Sequence, residues 1–302
     1  MLKCRKVRLL AIGALFAVTL WLAVSASVAW RLTRRGSEPF AEPPPEVAGA
    51  IVESLRLKTC DNEEIGGWLA RGDADKGCVL LLHGNNASRG EMLPAMRWLV
   101  EAKFTVLAIS LRAHGDSTGE VNDIGWSARH DVVAAVEFLG REYPRRPVFI
   151  VGRSLGAAAA IFAADELKTD VAGYFLEQPY KDLKSAVWCR LQNHLPPILD
   201  RVAYGGLRLW APAFLPVNPD QISPYDHIEA IPPSVPVVII AGSADRHSRL
   251  DDVKAVAGRV RSGAKLVVFE GATHEALDRN NPKLYRASLL ELLRNRKRLD
   301  VP

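Results

Sequence analysis

Residues 148–160 of the chain read VFIVGRSLGAAAA, and this stretch decides the fold. The short apolar run 148–151 is typical of a strand buried on both faces, and the alanines after Gly156 are typical of a helix. Between them, Gly152-Arg153-Ser154-Leu155-Gly156 fits a GxSxG turn, in which small residues leave room for a serine held clear of the backbone. The stretch predicts a strand, a strained turn and a helix, with Ser154 as a nucleophile. The alternative is a helix start that Ser154 only caps.

The alternation of strand and helix continues on both sides of this stretch. A hairpin is predicted over 51–58 and 64–70, where Gly66 and Gly67 indicate a bulge. Apolar runs rich in β-branched residues predict strands at 79–82, 106–110, 148–151, 171–176, 235–241 and 266–269, and amphipathic stretches predict helices near 90–101, 126–142, 154–167, 250–261 and 282–298. The pattern indicates an α/β fold with a mostly parallel twisted sheet flanked by helices.

A serine hydroxyl needs a general base that a third group orients. Asp245 follows the predicted strand 235–241, and His274 follows the predicted strand 266–269. Because parallel strands present their carboxyl ends at one edge of the sheet, we expect both side chains to lie beside Ser154. Glu177 and Asp182 are the alternative acids, and a role for Asp245 as a turn or cap residue is the alternative for that position.

Two backbone amides are needed to stabilise the oxyanion that forms when a serine attacks an acyl carbon. Leu155 is expected to supply one. The other is expected from the loop His83-Gly84-Asn85-Asn86, with Asn85 as the first choice and Asn86 as the second. His83 precedes the nucleophile in this loop, and we interpret it as structural.

These motifs, in this order, resemble the α/β-hydrolase superfamily. The resemblance rests on the segments His83-Gly84-Asn85-Asn86, 112–117, 152–156, 242–245 and 273–275, and covers about residues 51–295. The run 112–117 resembles the structural RxxGxS turn of that superfamily, so His114 is not given a catalytic role. Arg153 before the serine and the alanines after it look closest to the membrane-associated serine hydrolases of the BEM46 type. The resemblance implies an esterase, lipase, thioesterase or peptidase that needs no metal or organic cofactor.

Residues 179–233 break the alternation, because they are rich in proline and aromatic residues. We expect an insertion that forms a lid over the site, with weak helical patterns near 182–194 and 198–210. Trp188, Trp210 and Phe214 in this segment either contact substrate or form a small core of their own.

The N-terminus predicts a membrane anchor. Residues 9–30 form an uncharged run of about 22 residues, which would span roughly 33 Å as a helix. Basic residues flank the run on both sides and favour an N-terminus in the cytoplasm, with the catalytic domain on the extracytoplasmic side. The alternative is a signal peptide cleaved between Ala29 and Trp30, which would leave a secreted or periplasmic enzyme. We therefore expect an anchor over 1–35, a proline-rich extended spacer over 36–50, and a catalytic domain over 51–298.

Composition excludes several other classes of protein. The chain has 302 residues with a net charge of +5, and its basic residues concentrate at 3–35 and 294–298, so nucleic-acid binding is not expected. Four cysteines, Cys4, Cys60, Cys78 and Cys189, show no metal-ligand spacing. A Cys60 to Cys78 disulfide is left open.

The sequence thus predicts a membrane-tethered serine hydrolase that acts on a small or lipid-like acyl ester. A serine peptidase of the same fold is the first alternative. A non-catalytic binding protein of the same fold is the second.

Overall fold

The computed structural model describes residues 2–73, 76–274 and 277–294. Glu275 of the Thr273-His274-Glu275 motif lies outside the described residues. So do residues 295–298, which end the last predicted helix and carry most of the C-terminal basic run, and the side chains of Lys3 and Cys4.

Eight strands form one sheet with the order β1-β2-β4-β3-β5-β6-β7-β8. They are β1 (Val52–Lys58), β2 (Glu64–Ala70), β3 (Cys78–Leu82), β4 (Thr105–Ile109), β5 (Val148–Arg153), β6 (Gly173–Glu177), β7 (Val237–Gly242) and β8 (Lys265–Phe269). Strand β2 runs antiparallel to β1 and β4, and the other neighbouring pairs are parallel. The predicted α/β fold with a mostly parallel sheet is confirmed.

Ten α-helices are present in the described part of the chain. They are α1 (Leu2–Leu32), α2 (Leu93–Glu101), α3 (Arg129–Glu142), α4 (Leu155–Leu167), α5 (Leu183–His194), α6 (Leu199–Phe214), α7 (Pro224–His227), α8 (Leu250–Gly258), α9 (Leu277–Asn280) and α10 (Pro282–Arg294). Along β5, Val148 and Ile150 belong to the buried cluster that also holds residues of α3, α4 and α8, whereas Phe149 and Val151 belong to the cluster that holds residues of α2 and α10. Both faces of the strand are therefore buried, which explains its unbroken apolar run.

The predicted bulge at Gly66 and Gly67 is wrong. The pairing of β1 with β2 runs without interruption past both glycines. A Cβ atom on Gly66 would overlap the side chains of Asp116 and Arg89, so close approach explains this glycine. The disulfide is also absent, because Cys60 is an exposed free thiol and Cys78 is a buried one.

Helix α1 contains a stretch, Arg5–Leu32, that is long and apolar enough to cross a membrane by length and composition. Most of it is exposed, but Ser25 and Ala29 are buried against the rest of the protein. The Trp21 indole donates a hydrogen bond to the Val202 carbonyl of α6 (3.2 Å), and the Trp210 indole of α6 donates to the Leu22 carbonyl (3.1 Å). Trp210 thus contacts α1, and it also stacks on Phe214 of its own segment, with ring centroids 6.1 Å apart.

Residues 36–50 have almost no regular secondary structure, as expected of the proline-rich segment, but the prediction that they are free of packed structure is wrong. The Glu42 side chain is buried and accepts hydrogen bonds from Arg89 (3.0 Å) and Ser110 (2.5 Å). The Trp68 indole donates to the Glu42 backbone carbonyl at 3.1 Å. Because Arg89 is itself almost fully buried, it needs a carboxylate partner, and residue 42 supplies one from outside the predicted domain boundary.

We predict that Glu42→Ala lowers the free energy of unfolding by about 3 kcal/mol, because it leaves the buried Arg89 guanidinium with Asp116 as its remaining carboxylate partner. The matched control is Glu46→Ala, an exposed carboxylate in the same segment, which should change stability by no more than about 0.5 kcal/mol. Denaturant unfolding of the full chain in detergent measures both. Equal effects of the two substitutions would contradict a packed role for this segment.

Candidate active site

The turn between β5 and α4 holds Ser154 in a strained conformation, with φ 48° and ψ −104°. This left-handed region is costly for a residue with a Cβ atom. Two backbone hydrogen bonds fix it: the Ser154 amide donates to the Glu177 carbonyl (2.8 Å), and the Gly156 amide donates to the His83 carbonyl (3.1 Å). The predicted order of strand, turn and helix is therefore present, and Ser154 does not act as a side-chain cap.

The structure brings Ser154, His274 and Asp245 together from three separate loops. Ser154 Oγ lies 3.1 Å from His274 Nε2, and His274 Nδ1 lies 2.7 Å from Asp245 Oδ2. With Nδ1 as the donor to the carboxylate, Nε2 is free to accept the serine proton. The three groups form a continuous hydrogen-bonded chain from hydroxyl to carboxylate.

The Asp245 side chain is fully buried, and both of its oxygens make hydrogen bonds. Its Oδ1 accepts from the backbone amides of His247 (2.7 Å) and Ser248 (3.0 Å), which leaves Oδ2 for His274. These amides lock the carboxylate orientation. The same contacts explain why Asp245 also looks like a turn residue in the sequence, since it organises its own loop and reaches His274 as well.

The loops of Asp245 and His274 are joined directly to each other. The Ser243 amide donates to the Phe269 carbonyl (3.0 Å), and the Ala244 amide donates to the Ala272 carbonyl (2.9 Å). Gly242 is needed at this junction, because a Cβ atom there would overlap the Ala272 carbonyl. The distance between the acid and the imidazole is thus set by backbone contacts.

The alternative acids have other partners. Glu177 is fully buried, where it accepts from Arg153 Nε (3.0 Å) and from the Tyr285 hydroxyl (2.5 Å). Burial raises the pKa of Glu177, and the Arg153 guanidinium opposes that shift. Asp182 caps α5 by accepting from the Ser185 amide at 2.6 Å. Neither carboxylate makes a hydrogen bond to His274 among the described contacts.

His247 neighbours His274, with ring centroids 5.1 Å apart. Burial and the nearby His274 lower the pKa of His247. Its position in the Asp245 loop makes it part of the wall around the imidazole, while the ring that meets Ser154 is that of His274.

His83 and His114 hold loops as neutral rings. His83 Nδ1 donates to the Gly84 carbonyl (2.7 Å), its Nε2 accepts from the Leu111 amide (2.9 Å), and burial lowers the pKa of His83 to about 3. His114 Nδ1 donates to the Arg112 carbonyl (2.8 Å), and burial lowers its pKa as well. Neither ring has the free nitrogen that a general base requires.

The two candidate asparagines differ in their contacts. The Asn86 amide donates to His114 Nε2 at 3.3 Å, so it already has an acceptor. The Asn85 side chain instead accepts from Asn122 Nδ2 at 2.8 Å, which fixes the orientation of that residue. Leu155 is the first residue of α4, where a helix leaves backbone amides without a carbonyl of its own. These contacts favour Asn85 over Asn86 as the partner of Leu155.

Two residues support the site although the sequence analysis assigned them no role there. Arg153 forms ion pairs with Glu177 (3.0 Å), Asp278 (3.2 Å) and Glu91 (3.5 Å). Glu91 in turn accepts from the Gly84 amide at 2.7 Å, so the network joins the Ser154 turn to the Asn85 loop. Gln178 directly follows β6, and its Nε2 donates to the Thr273 carbonyl (2.8 Å) beside His274. The signal in the sequence that could have identified Gln178 is its position directly after a strand.

Within the described part of the chain, no group of three or more His, Cys, Asp and Glu side chains is arranged to hold a metal ion.

A family model described as serine aminopeptidase, S33, matches residues 73–227, just over half of the chain. The match includes Ser154 and ends before Asp245 and His274. A human monoglyceride lipase is 34% identical over 107 residues, which cover 34% of this chain and 35% of that protein. An uncharacterised membrane protein of Saccharomyces cerevisiae is 24% identical over 167 residues, 55% of this chain and 57% of that protein.

A solved structure of a Pyrococcus furiosus esterase covers 85% of this chain and 98% of its own, with a TM-score of 0.67 and 23% identity. At that identity the likeness shows the fold, which is the α/β-hydrolase fold that the sequence predicted. The chain spans about a third of the length of the monoglyceride lipases that it matches.

We predict that Gly156→Ala disables the site. A Cβ atom there would lie 2.7 Å from the His83 carbonyl oxygen and from the Leu82 Cβ atom, so the turn and the Asn85 loop would have to separate. The control is Gly140→Ala in α3, which has open space around it and should stabilise by up to about 1 kcal/mol through helix propensity. Thermal unfolding and ester hydrolysis measure both variants. Full activity in Gly156→Ala would show that the close approach is not required.

Proposed function

The chain belongs to the serine aminopeptidase S33 family, and we propose that it is a membrane-tethered serine hydrolase that cleaves carboxylic esters, with Ser154, His274 and Asp245 as its catalytic residues. The observation that carries the proposal is the hydrogen-bonded chain from Ser154 Oγ through His274 to the buried Asp245 carboxylate. A buried carboxylate behind an imidazole, with a strained serine in front of it, is what acyl transfer by a serine requires.

The reaction takes two steps in this proposal. His274 Nε2 takes the Ser154 hydroxyl proton as Oγ bonds to the acyl carbon, and the same proton then goes to the departing alcohol as the ester bond breaks. A water molecule next gives a proton to His274 and attacks the acyl carbon, and His274 returns that proton to Ser154 Oγ as the bond between Oγ and the acyl carbon breaks, which releases the acid. Asp245 stabilises the imidazolium in both steps, and water is the only co-reactant, so no cofactor is proposed.

The oxyanion of each tetrahedral intermediate would be held by the backbone amides of Leu155 and Asn85. Each such donor contributes about 3 to 4 kcal/mol to transition-state stabilisation. The contact of Asn122 with the Asn85 side chain and the ion pair network of Arg153 would keep the two donors at a fixed separation.

An acyl ester, small or lipid-like, is the proposed substrate class. The likeness to a monoglyceride lipase over a third of that protein, and to an esterase by fold, supports an ester. The family description favours a second candidate, a serine peptidase that uses the same three residues on an amide. Both candidates use acyl transfer and differ in the leaving group. Nucleic acid is not proposed as a partner.

We further propose a membrane anchor at residues 1–35, a connecting segment at 36–50, and a catalytic domain at 51–298 with a lid at 179–233. The apolar Arg5–Leu32 stretch and the similarity to a yeast membrane protein support the anchor. The basic residues before the apolar run favour an extracytoplasmic catalytic domain. Cleavage after Ala29 would remove Trp21, Leu22 and Ser25, which contact α6, so these contacts favour a retained helix.

Ser154→Ala should abolish labelling by a fluorophosphonate probe and lower ester hydrolysis by about 10⁴-fold or more, because no other group replaces the nucleophile. The control is Ser262→Ala, an exposed serine on the surface, which should be labelled like the unaltered protein. Equal labelling of Ser154→Ala and the unaltered protein would reject Ser154 as the nucleophile.

The substrates for this experiment are p-nitrophenyl esters of increasing chain length and an aminoacyl p-nitroanilide. Turnover of the esters without turnover of the anilide supports the esterase. Turnover of the anilide, with or without the esters, would favour the peptidase, and no turnover with no labelling would favour a binding protein.

We predict that Asp245→Asn lowers kcat/KM about 10⁴-fold, because an amide in place of the carboxylate orients the wrong imidazole tautomer. Glu177→Gln should lower kcat/KM by no more than about tenfold and lower stability by about 1 to 3 kcal/mol, since it weakens the buried pair with Arg153. Steady-state kinetics and thermal unfolding distinguish the two. If Glu177→Gln lost as much activity as Asp245→Asn at unchanged stability, Glu177 would be the acid.

A further inference from the structure

One face of α1 packs against α6, a helix of the lid. The contact includes the two indole hydrogen bonds described above, from Trp21 to the Val202 carbonyl and from Trp210 to the Leu22 carbonyl. Each helix thus donates one side-chain hydrogen bond to the backbone of the other. We call this set of contacts the anchor-lid contact.

Small residues allow the two helices to approach closely at the centre of this contact. Gly206 faces Ser25, and a Cβ atom on Gly206 would overlap the Ser25 side chain. Ser25 and Ala29, four residues apart on one face of α1, are both buried. Small residues at such spacing are the usual interface between helices within a membrane, where they permit backbone contact.

The position of the anchor-lid contact along α1 sets the depth at which that contact would lie in a bilayer. Trp30 ends the uncharged run, and Trp21 lies nine residues before it and Ser25 five residues before it. At about 1.5 Å per residue this places them roughly 8 to 14 Å inside that end of the span. With α1 across a bilayer, α6 is held at the level of one leaflet.

The outer surface of α6 is apolar where it would meet that leaflet. Exposed aliphatic side chains follow one another along the helix and the residue before it, namely Ile198 (70% exposed), Leu199 (53%), Val202 (47%) and Leu209 (56%). We call these four residues the lid stripe. Arg201 and Arg208 are exposed on the same helix and can reach lipid phosphates while their stems cover apolar surface.

We infer that α6 lies in the outer leaflet, with the lid stripe covered by lipid acyl chains, and that the anchor-lid contact holds it there. The inference rests on the proposed membrane anchor and extends it to the lid. Bilayer acyl chains are the occupant that the structure favours, because the lid stripe adjoins a helix whose own exposed residues, such as Val24, would face lipid.

A chain of contacts leads from α6 to the catalytic loops. Tyr204 of α6 meets Trp188 of α5 edge to face, with ring centroids 5.4 Å apart. Asn193 of α5 donates to the Arg246 carbonyl at 3.3 Å, next to Asp245. A lid seated in lipid would therefore place the entrance of the site at the membrane surface, where an ester with a long acyl chain could enter directly from the leaflet.

Photocrosslinking of the full chain in phosphatidylcholine vesicles tests the inference. The photoreactive residue p-benzoylphenylalanine replaces Leu209 of the lid stripe, Val24 of α1, or Ile51, an exposed aliphatic residue outside the lid. We expect lipid adducts at Leu209 and Val24, and a lipid adduct yield at Ile51 at least about fivefold lower, because only the first two side chains would contact acyl chains.

Each outcome has a separate meaning. Lipid adducts at Val24 without any at Leu209 would overturn the inference and leave the anchor in place. An adduct of Leu209 with a second copy of the chain, in place of lipid, would overturn it in favour of a dimer. Absence of lipid adducts at both positions would reject the anchor itself. Fluorophosphonate labelling of Ser154 is measured in the same variants. Its loss would contradict the proposed function and would not change what the lipid adducts show about the lid.

Two neighbouring glycines test the anchor-lid contact. In the chain that carries the photoreactive residue at 209, Gly206→Ala should lower the yield of lipid adduct about threefold or more, because the new methyl group overlaps Ser25. Gly205→Ala gains the same helix propensity, but its Cβ atom would lie 3.9 Å from Trp21, an ordinary contact, so its yield should not change. Equal yields in both variants would show that the contact does not hold the lid in the leaflet.

Discussion

The strained turn at Ser154 is the constraint on which the rest of the structure depends. A residue with a Cβ atom at φ 48° costs about 1 to 3 kcal/mol, and the fold has to offset that cost. Two backbone hydrogen bonds provide this stabilisation, one from the turn to the Glu177 carbonyl at the end of β6 and one to the His83 carbonyl just after β3. These neighbouring strands flank β5 in the sheet, so the turn cannot relax unless the centre of the sheet separates.

The same turn also fixes the electrostatics beneath the site. Arg153 is part of β5 and immediately precedes Ser154, so its direction is set by the strand, and its guanidinium contacts Glu91, Glu177 and Asp278. The three acidic groups, of which Glu177 is fully buried, would repel one another, and the arginine between them offsets part of that repulsion. The Asn85 loop, the end of β6 and the segment after His274 are thereby joined to a single side chain. Arg153 thus acts through position and charge rather than through contact with a reacting atom.

Local patterns in the sequence predicted the strands, the helices and the three residues that meet at the site. Each of these predictions depends on a short stretch of sequence: the apolar runs of the strands, the glycines at 152 and 156, and the positions of Asp245 and His274 just after strands. Parallel strands then bring these positions to one edge of the sheet, so no long-range contact has to be predicted. The contacts of Glu42 with Arg89 and of Ser25 with Gly206 are different, because each joins segments far apart in the chain. A glutamate among prolines looks solvated in sequence. Gly66 likewise looked like a bulge because its actual neighbours, Asp116 and Arg89, come from elsewhere in the chain.

The attachments of the N-terminal segment act together on the domain that follows it. Arg35, just after α1, donates to the backbone carbonyls of Gly115, Ser117 and Gly119, and Glu42 is buried a few residues later. A helix joined to its domain by a flexible spacer would leave that domain free to turn in any direction. Here the spacer is bound on one side and α6 is bound on the other, so the rotation of the domain about α1 is restricted. If α1 spans a bilayer, the face of the protein that carries the proposed lid is therefore the face held nearest to the lipid.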